Sequence, residues 1–385
     1  MVSIQTRFWI LIALVGISGF SQGMLLPLLA IILEQSGVSS SVNGLHATGL
    51  YIGIILASPF MEKPLRKFGF KPIIIIGGML VFISLALFPF WHALWFWFIL
   101  RMLIGIGDQM LHFGTQTWIT STVSAHSRGK SIAYYGLSFG LGFALGPLMT
   151  RLLSINEALP FFISALLSML VWSAMLFVKN MIPEKEFETG KQTSSFKRFL
   201  ETAKIAWVAL LPGFGYGFLE ASLHSIFPIY GLRLGHSVDT LALIIPFFAL
   251  GSLVTQIPLG IISDRYGRKR VLLTIISAGA VCFFLTALFE GSVLALFILF
   301  ALSGMLVGSL FSLGIAYMTD LLPQNLLPAG NLMVGITFSI GSISGPFIGG
   351  IYVDIFPGLS FFYLLSGILV IVAGALYFKK EPAAV

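Results

Sequence analysis

A few ionisable residues interrupt the long apolar stretches of this 385-residue chain. Arg101, Asp108 and His112 follow one another at intervals of seven and four residues. At about 100° per residue, all three lie on one helical stripe about 40° wide. Glu220 and His224 are one helical turn apart in a second stretch. Ionisable groups are expensive in an apolar medium, so these residues are candidates for binding a proton or a charged substrate.

Glu220 is the first choice for the proton site. It lies near the middle of its apolar stretch, and its counterpart in the first half of the chain is Gln22. Removal from water favours the neutral form of a carboxyl group, which can then exchange protons with its surroundings. A cationic substrate would compete with that proton, and His224 would relay or modulate it. The predicted proton and substrate site contains Glu220, Asp108, Arg101, His112, His224 and Gln22.

A structural role is the alternative for the stripe that contains Arg101. Arg101 and Asp108 would then form a buried ion pair, with His112 hydrogen-bonded nearby. Seven residues span about 10 Å along a helix, so a direct pair would need a long reach by Arg101. The spacing therefore favours a stripe exposed to a water-filled cavity.

The elements that carry these residues are helices long enough to cross a membrane. The chain is 57% hydrophobic and 10% charged, whereas soluble domains carry about 25% charge. A membrane-spanning helix needs about 20 apolar residues. We predict an all-α membrane protein with twelve spans, at residues 8–33, 42–61, 72–90, 93–121, 130–152, 159–178, 205–231, 239–261, 271–289, 293–319, 329–353 and 358–378.

The second half of the chain repeats the first. Gly136, Gly142, Gly146 and Pro147 recur 199 positions later as Gly335, Gly341, Gly345 and Pro346. This duplication predicts two six-helix bundles, at residues 1–180 and 204–385, joined by a polar cytoplasmic linker at 181–203 that is a flexible tether or a surface helix. Two helical repeats favour a transporter, because their interface forms a midplane site that opens to either side.

Lysine and arginine predict the orientation of the chain. With the N-terminus in the cytoplasm, 19 of the 22 cations fall in cytoplasmic segments. We therefore expect a multi-pass protein of the cell membrane with both termini inside. The net charge of +7 is divided among short loops, so no basic face for nucleic acid results.

Three motifs resemble those of the major facilitator superfamily. Gly260-Ile-Ile-Ser-Asp264-Arg265-Tyr-Gly267-Arg268-Lys269-Arg270 is similar to its cytoplasmic loop signature, and Arg101-Met-Leu-Ile-Gly105-Ile-Gly107 resembles its Arg-xxx-Gly-x-Gly motif. Gly345-Pro346-Phe-Ile-Gly349-Gly350 matches a motif associated with its antiporters. The resemblance covers the whole chain and is nearest to the drug/proton antiporter branch. It implies the twelve-helix major facilitator fold, in which the first helix of each half lines a central cavity.

The loop motif predicts a conformational latch. A small Gly260 would let a neighbouring helix approach, and Asp264 would be held by Arg265 and Arg268 beside Gly267. The resemblance implies that this latch stabilises the outward-facing state; positive-inside charge alone is the alternative explanation. The first half has Glu62 and Arg66 at the positions of Gly260 and Asp264, so its acidic residue stands four positions earlier in the motif than Asp264 does in the second half.

The glycine-proline motifs predict close helix packing and bending. Small residues let two membrane helices approach each other, and this packing alone would account for the glycines. Proline removes a main-chain hydrogen bond and favours a kink. The predicted hinge and packing residues are Gly146, Pro147, Gly345, Pro346, Gly349 and Gly350.

Taken together, these features predict proton-coupled efflux of a small amphipathic or cationic compound. The 36 phenylalanines suit such a substrate. We expect a monomer among membrane lipids, driven by the proton gradient and without a cofactor. Proton-coupled uptake of a nutrient and lipid flipping are the alternatives. The chain contains no HExxH motif and only one cysteine, Cys282, so we expect neither an enzyme nor a metal site.

Overall fold

The computed structural model describes residues 3–122, 125–182 and 195–379, and all regular structure within them is helical. The α-helices are α1 (Ile4–Gln35), α2 (Ser40–Ala57), α3 (Glu62–Phe68), α4 (Phe70–Leu87), α5 (Leu94–Thr122), α6 (Ala125–Leu145), α7 (Leu159–Ser173), α8 (Ser195–Ser225), α9 (Phe227–Arg233), α10 (Val238–Tyr266), α11 (Arg268–Phe289), α12 (Val293–Val307), α13 (Leu310–Leu321), α14 (Leu327–Ile355) and α15 (Phe361–Phe378). Short 3-10 segments at Ser58–Phe60, Phe88–Phe90, Gly146–Ser154, Ala174–Phe177 and Gln324–Leu326 extend or join them.

The all-α prediction is confirmed, and the number of membrane spans is eleven or twelve. Within the described residues, eleven helical segments are long and apolar enough to cross a membrane. The count reaches twelve if α2, its 3-10 extension and α3 form one broken span with a bend of 57°. The bend follows Pro59, which lies in the 3-10 segment. Proline cannot donate the main-chain hydrogen bond that would continue the α-helix.

Four glycines with left-handed backbone mark equivalent points of the two repeats. Gly69 and Gly267 have φ of 87° and 90°, and they end α3 and α10. Gly37 and Gly235 have φ of 77° and 88° and follow α1 and α9. Glycine adopts this conformation without the penalty that a Cβ atom imposes. Both pairs are 198 residues apart, so the duplication extends to the helix ends.

The chain divides into two compact units, formed by residues 1–32 with 45–189 and by residues 33–44 with 190–385. The segment 33–44, which follows the first predicted span, therefore groups with the second unit. Glu34 accepts hydrogen bonds from Arg233 Nε and Nη2 at 2.7 and 3.2 Å, and the bond raises the pKa of the Arg233 guanidinium. Asp354 accepts from the main-chain N–H groups of Ser40 and Ser41 at 3.2 and 2.7 Å, at the start of α2.

The polar linker is described only in part. Residues 195–203 form the first turns of α8, which has a non-helical residue at Ala206 (φ −118°, ψ 15°). Residues 183–194 of the predicted linker lie outside the described residues.

Paired glycines bring the same helices together in each unit. In the first unit, a Cβ atom on Gly19 or Gly142 would collide with the main-chain carbonyl of Phe139 or Gly16, so α1 and α6 touch. In the second unit, Gly217 and Gly341 hold α8 against α14 in the same way, on the carbonyls of Phe338 and Phe214. Main chains approach this closely only where side chains are absent. The repeated glycines thus set the position of the first helix of each half.

Candidate functional site

A hydrogen-bonded network surrounds Asp108 on α5. Asp108 has no exposed surface, and Ser18 Oγ on α1 donates to its Oδ1 at 2.6 Å. His112 Nε2 lies 3.1 Å from the same Ser18 oxygen, while His112 Nδ1 lies 2.5 Å from the hydroxyl of Tyr135 on α6. Gln22, one turn after Ser18, donates to it at 3.5 Å. Three helices therefore place one acid, one imidazole and two hydroxyls in contact, and the predicted Asp108, His112 and Gln22 are brought together in one hydrogen-bonded network.

Arg101 is separate from this network. Its side chain is fully buried, and none of its three guanidinium nitrogens has a hydrogen-bond partner among the described residues. A direct ion pair between Arg101 and Asp108 is therefore not formed. Neither side chain has exposed surface, so the expectation of a stripe open to a water-filled cavity is wrong for this structure. The physical reason is close packing, since α1 reaches Asp108 through Ser18 and α2 packs directly on α5.

Glu220 lies on α8 in the second unit and is partly buried. Tyr216, one turn earlier, donates its hydroxyl proton to Glu220 Oε1 at 3.0 Å. His224 Nδ1 contacts the main-chain carbonyl of Glu220 at 2.8 Å. The predicted proximity of Glu220 and His224 is present, but this bond of His224 is to the main chain and not to the carboxyl group.

The hydroxyl donors occupy equivalent positions in the two repeats. Ser18 and Tyr216 are 198 residues apart, as are Gln22 and Glu220. In the first half, the Ser18 hydroxyl donates to Asp108 and accepts from Gln22, one turn later. In the second half, the Tyr216 hydroxyl donates to Glu220, which is itself the residue one turn later. Sequence reasoning missed Ser18, Tyr135 and Tyr216. The repeat offset was the available signal for Ser18 and Tyr216, because it aligns them beside Gln22 and Glu220.

The loop motif forms a small charged network around Arg268, which we call the Arg268 cluster. Arg268 Nη2 donates to Asp264 Oδ1 at 3.2 Å, and Nη1 donates to Asp320 Oδ1 at 3.0 Å and to the carbonyl of Ala316. Asp320 and Ala316 lie on α13, so the cluster joins α10, α11 and α13. Sequence reasoning missed Asp320, which stands near the end of a predicted span without a motif around it.

Other parts of the latch prediction are not seen. A Cβ atom on Gly260 would meet no atom within 4 Å, so this glycine does not admit a neighbouring helix. Arg265 is exposed, and Gly267 serves as the turn between α10 and α11. The displaced acid of the first half, Glu62, pairs with Arg66 at 2.5 Å on α3 alone.

The two Gly-Pro motifs have different backbones. Pro147 is the second residue of the 3-10 segment after α6, whereas Pro346 lies inside α14, which stays α-helical from Leu327 to Ile355. Gly146 packs on the main chain of α1 at Phe20, and Gly345 packs on that of α8 at Phe218. Gly349 and Gly350 pack against Ile226 and Ser40. Close packing is therefore observed at all four glycines, and bending at the prolines stays a prediction.

Comparison with known proteins places this arrangement in a family. The model of the Major Facilitator Superfamily matches residues 11–249 and 209–385. The chain belongs to this superfamily. As a member of the Major Facilitator Superfamily, it is a multi-pass integral membrane protein that transports a small molecule and is not an enzyme.

Relatives of this Major Facilitator Superfamily member cover nearly its whole length. YfkF of Bacillus subtilis (strain 168), described as an MFS-type transporter, is 54% identical over 360 residues, which are 94% of this chain and 92% of that protein. Multidrug resistance protein 2 of Bacillus subtilis (strain 168) is 22% identical over 400 residues, 99% of this chain and 97% of that protein. The crystal structure of the nucleoside transporter NupG has a TM-score of 0.77 at 16% identity and covers 97% of this chain and 99% of that chain. This last likeness shows the fold alone.

Proposed function

We propose that this transporter exports small amphipathic or cationic compounds from the cell in exchange for protons. The observation that carries the proposal is the pair of carboxyl groups, Asp108 and Glu220, within helices of membrane-spanning length. Each accepts a hydrogen bond from a hydroxyl on the first helix of its repeat. The similarity to Multidrug resistance protein 2 along the whole chain supports export.

The chemistry of such carboxyl groups suits exchange. A protonated carboxyl group is neutral and tolerates an apolar surrounding, whereas an ionised one needs a cation or strong hydrogen bonds. A proton and a cationic substrate therefore compete for the same group. Binding of one favours release of the other, and the proton gradient drives the cycle without a cofactor.

The proposal includes a topology. Twelve spans, with the broken pair of α2 and α3 counted as one, leave both termini on the cytoplasmic side of the plasma membrane. The concentration of 19 of the 22 cations in the segments then cytoplasmic supports this orientation. We propose a monomer as the transporting species, surrounded by membrane lipid.

Reconstitution into proteoliposomes tests the proposal. Candidate compounds would be added to vesicles containing a pH-sensitive dye, and substrate-driven proton movement would be recorded together with substrate flux. We expect Glu220→Gln to abolish coupled transport while the protein still folds and inserts, because glutamine keeps the size of glutamate but has no carboxyl group that can take up and release a proton. Glu157→Gln is the matched control, since Glu157 is exposed in a loop between helices. Full coupled transport by the Glu220→Gln variant would contradict the assignment of Glu220.

The same assay separates the alternative functions. Accumulation of a nutrient in the direction of the proton gradient would identify an uptake symporter. Movement of a labelled lipid without any proton signal would identify a flippase. Either result would overturn export, while leaving the membership of the superfamily unchanged.

A further inference from the structure

Among the described residues, the guanidinium group of Arg101 has no paired counter-charge. It is fully buried, and Nε, Nη1 and Nη2 all lack hydrogen-bond partners among the described residues. Buried charges in proteins are normally paired, because an uncompensated one costs several kcal/mol. Arginine also keeps its proton in nearly every environment, so it cannot escape this cost by becoming neutral. The position therefore favours a negatively charged group.

The nearest acid along the same helix does not provide that group. Asp108 lies seven residues away, about 10 Å along the helix axis. Its Oδ1 is already bound by Ser18 on α1. Among the residues that the structure describes, no carboxylate forms a salt bridge with Arg101.

Two polar side chains of α2 interact electrostatically with Arg101. Tyr51 and His46 lie within electrostatic range of its guanidinium. Both are buried, with 6% and 4% of their surface exposed. His46 Nε2 lies 3.1 Å from the carbonyl of Leu94, and its Nδ1 has no partner among the described residues. Arg101 therefore has a phenol and an imidazole within electrostatic range, and both can hydrogen-bond to an anion.

Glycine brings the two helices together at this point. A Cβ atom on Gly105 would collide with the main-chain carbonyl of Leu50 on α2. Gly105 is one turn after Arg101, and Tyr51 follows Leu50 directly. The contact between α2 and α5 thus holds the helix of Tyr51 against the helix of Arg101 in the apolar interior.

We propose that Arg101, Tyr51 and His46 form an anion subsite that binds the carboxylate of a transported compound. A guanidinium donates two parallel hydrogen bonds to a planar carboxylate, and a low dielectric strengthens them. The subsite rests on the proposed transport function and narrows its substrate class to amphipathic compounds with a carboxylate, zwitterions included. A halide ion is the other source of a single negative charge.

Ligand binding without a proton gradient tests this subsite. Purified protein in nanodiscs of neutral lipid would be titrated with sodium benzoate, a planar aromatic carboxylate, and separately with sodium chloride. Sodium sulfate at matched ionic strength gives the reference, and the melting temperature is read from tryptophan fluorescence. We expect benzoate to raise the melting temperature in a saturable manner, with sulfate showing no such saturation.

Four variants assign the effect to residues. Arg101→Gln should raise the apparent Kd for benzoate at least about tenfold, because it removes a charge-assisted pair of hydrogen bonds. Arg101→Lys keeps the charge without the planar fork and should fall between Arg101→Gln and the native protein. Tyr51→Phe should weaken binding about threefold to tenfold through loss of one hydroxyl. Arg151→Gln, at an exposed arginine, is the control and should leave the Kd unchanged.

The possible results separate the alternatives. Unchanged affinity in both Arg101→Gln and Arg101→Lys, or no saturable effect of either anion on the native protein, would overturn the subsite. If Arg101→Gln does not fold, the lysine and phenylalanine variants decide the question. Saturation by chloride alone, lost on changing Arg101, would overturn the carboxylate assignment. Because binding is measured at equilibrium, failure of proton coupling in vesicles would contradict the proposed function and leave the subsite standing.

Discussion

Neutralising Asp320 should loosen the Arg268 cluster more than neutralising Asp264. The Nη1 atom of Arg268 is shared between Asp320 Oδ1 and the carbonyl of Ala316, so this nitrogen ties α11 to α13. Among the described residues, the Nη2 atom donates to Asp264, four residues earlier in the chain. The side chains of Asp264 and Asp320 are 66% and 52% exposed, against 25% for Arg268. The Asp320 contact is less exposed and joins segments that are distant in the chain, so it should contribute more to the stability of the cluster than the Asp264 contact.

The size of the difference follows from exposure. Solvent-exposed ion pairs contribute about 0.2–1 kcal/mol. We assign about 1 kcal/mol to the Asp320 contact and about 0.3 kcal/mol to the Asp264 contact, at the upper and lower parts of that range. Since about 1.4 kcal/mol is a factor of ten, Asp320→Asn should increase local opening of α13 about fivefold and Asp264→Asn less than about twofold. Arg268→Gln removes both contacts and should exceed either change.

Hydrogen exchange measured by mass spectrometry reports this opening directly. The amides of residues 316–321 would be followed in detergent at constant pH, where the exchange rate is proportional to the population of the open form. Glu62→Gln is the control, because its ion pair with Arg66 is confined to α3. Raising the salt concentration to 1 M should screen the ion pairs and bring the exchange rates of the native protein closer to those of the variants. A larger effect of Asp264→Asn than of Asp320→Asn would refute this account of the cluster.

Three further outcomes are expected. Gly105→Leu and Gly304→Leu should each lower the melting temperature, because a Cβ atom there would collide with a main-chain carbonyl. Overpacking of this kind costs about 1–3 kcal/mol or more. Gly136→Ala is the control and should leave the melting temperature unchanged, because a Cβ atom there meets no described atom within 4 Å. Tyr216→Phe should reduce proton-coupled flux about tenfold, since it removes the hydroxyl bond to a carboxyl group; unchanged flux would show that this bond is dispensable. Arg233→Gln should speed hydrogen exchange in residues 33–44 about fivefold by breaking a partly exposed ion pair, and unchanged exchange would contradict that role.

Much of the fold was predictable because close helix crossings require glycine, and these glycines are visible in the sequence. Gly53 and Gly251 recur at an offset of 198, and each packs on a carbonyl of the same neighbouring helix in its repeat, at Met102 and Ala301. No other residue fits such a crossing, so the repeat survives there. The broken span near Pro59 was less predictable, since membrane helices also tolerate proline without a bend.

The candidate site was predictable only in its charges. Asp108, Arg101 and Glu220 stand out because charge is rare in apolar helices. Their partners are serines and tyrosines, which are ordinary in membrane helices and commonly bond to their own main chain, as Thr115 does with the carbonyl of Leu111. The choice of partner depends on the rotation of one helix against another, which a pattern of residue types does not determine.

Asp108 and Glu220 have hydrogen-bond donors in different places, so movement of a helix affects the two carboxyl groups differently. Asp108 on α5 is bound by Ser18 on α1, so a shift between these helices breaks the bond. Glu220 is bound by Tyr216 on the same helix, one turn away, and this bond survives any rigid displacement of α8. A change of packing can therefore alter the environment of Asp108 mechanically, whereas the bond that holds Glu220 does not depend on the position of a neighbouring helix. If both groups take part in transport, Asp108 is suited to coupling helix movement to protonation, and Glu220 is suited to exchanging the proton itself.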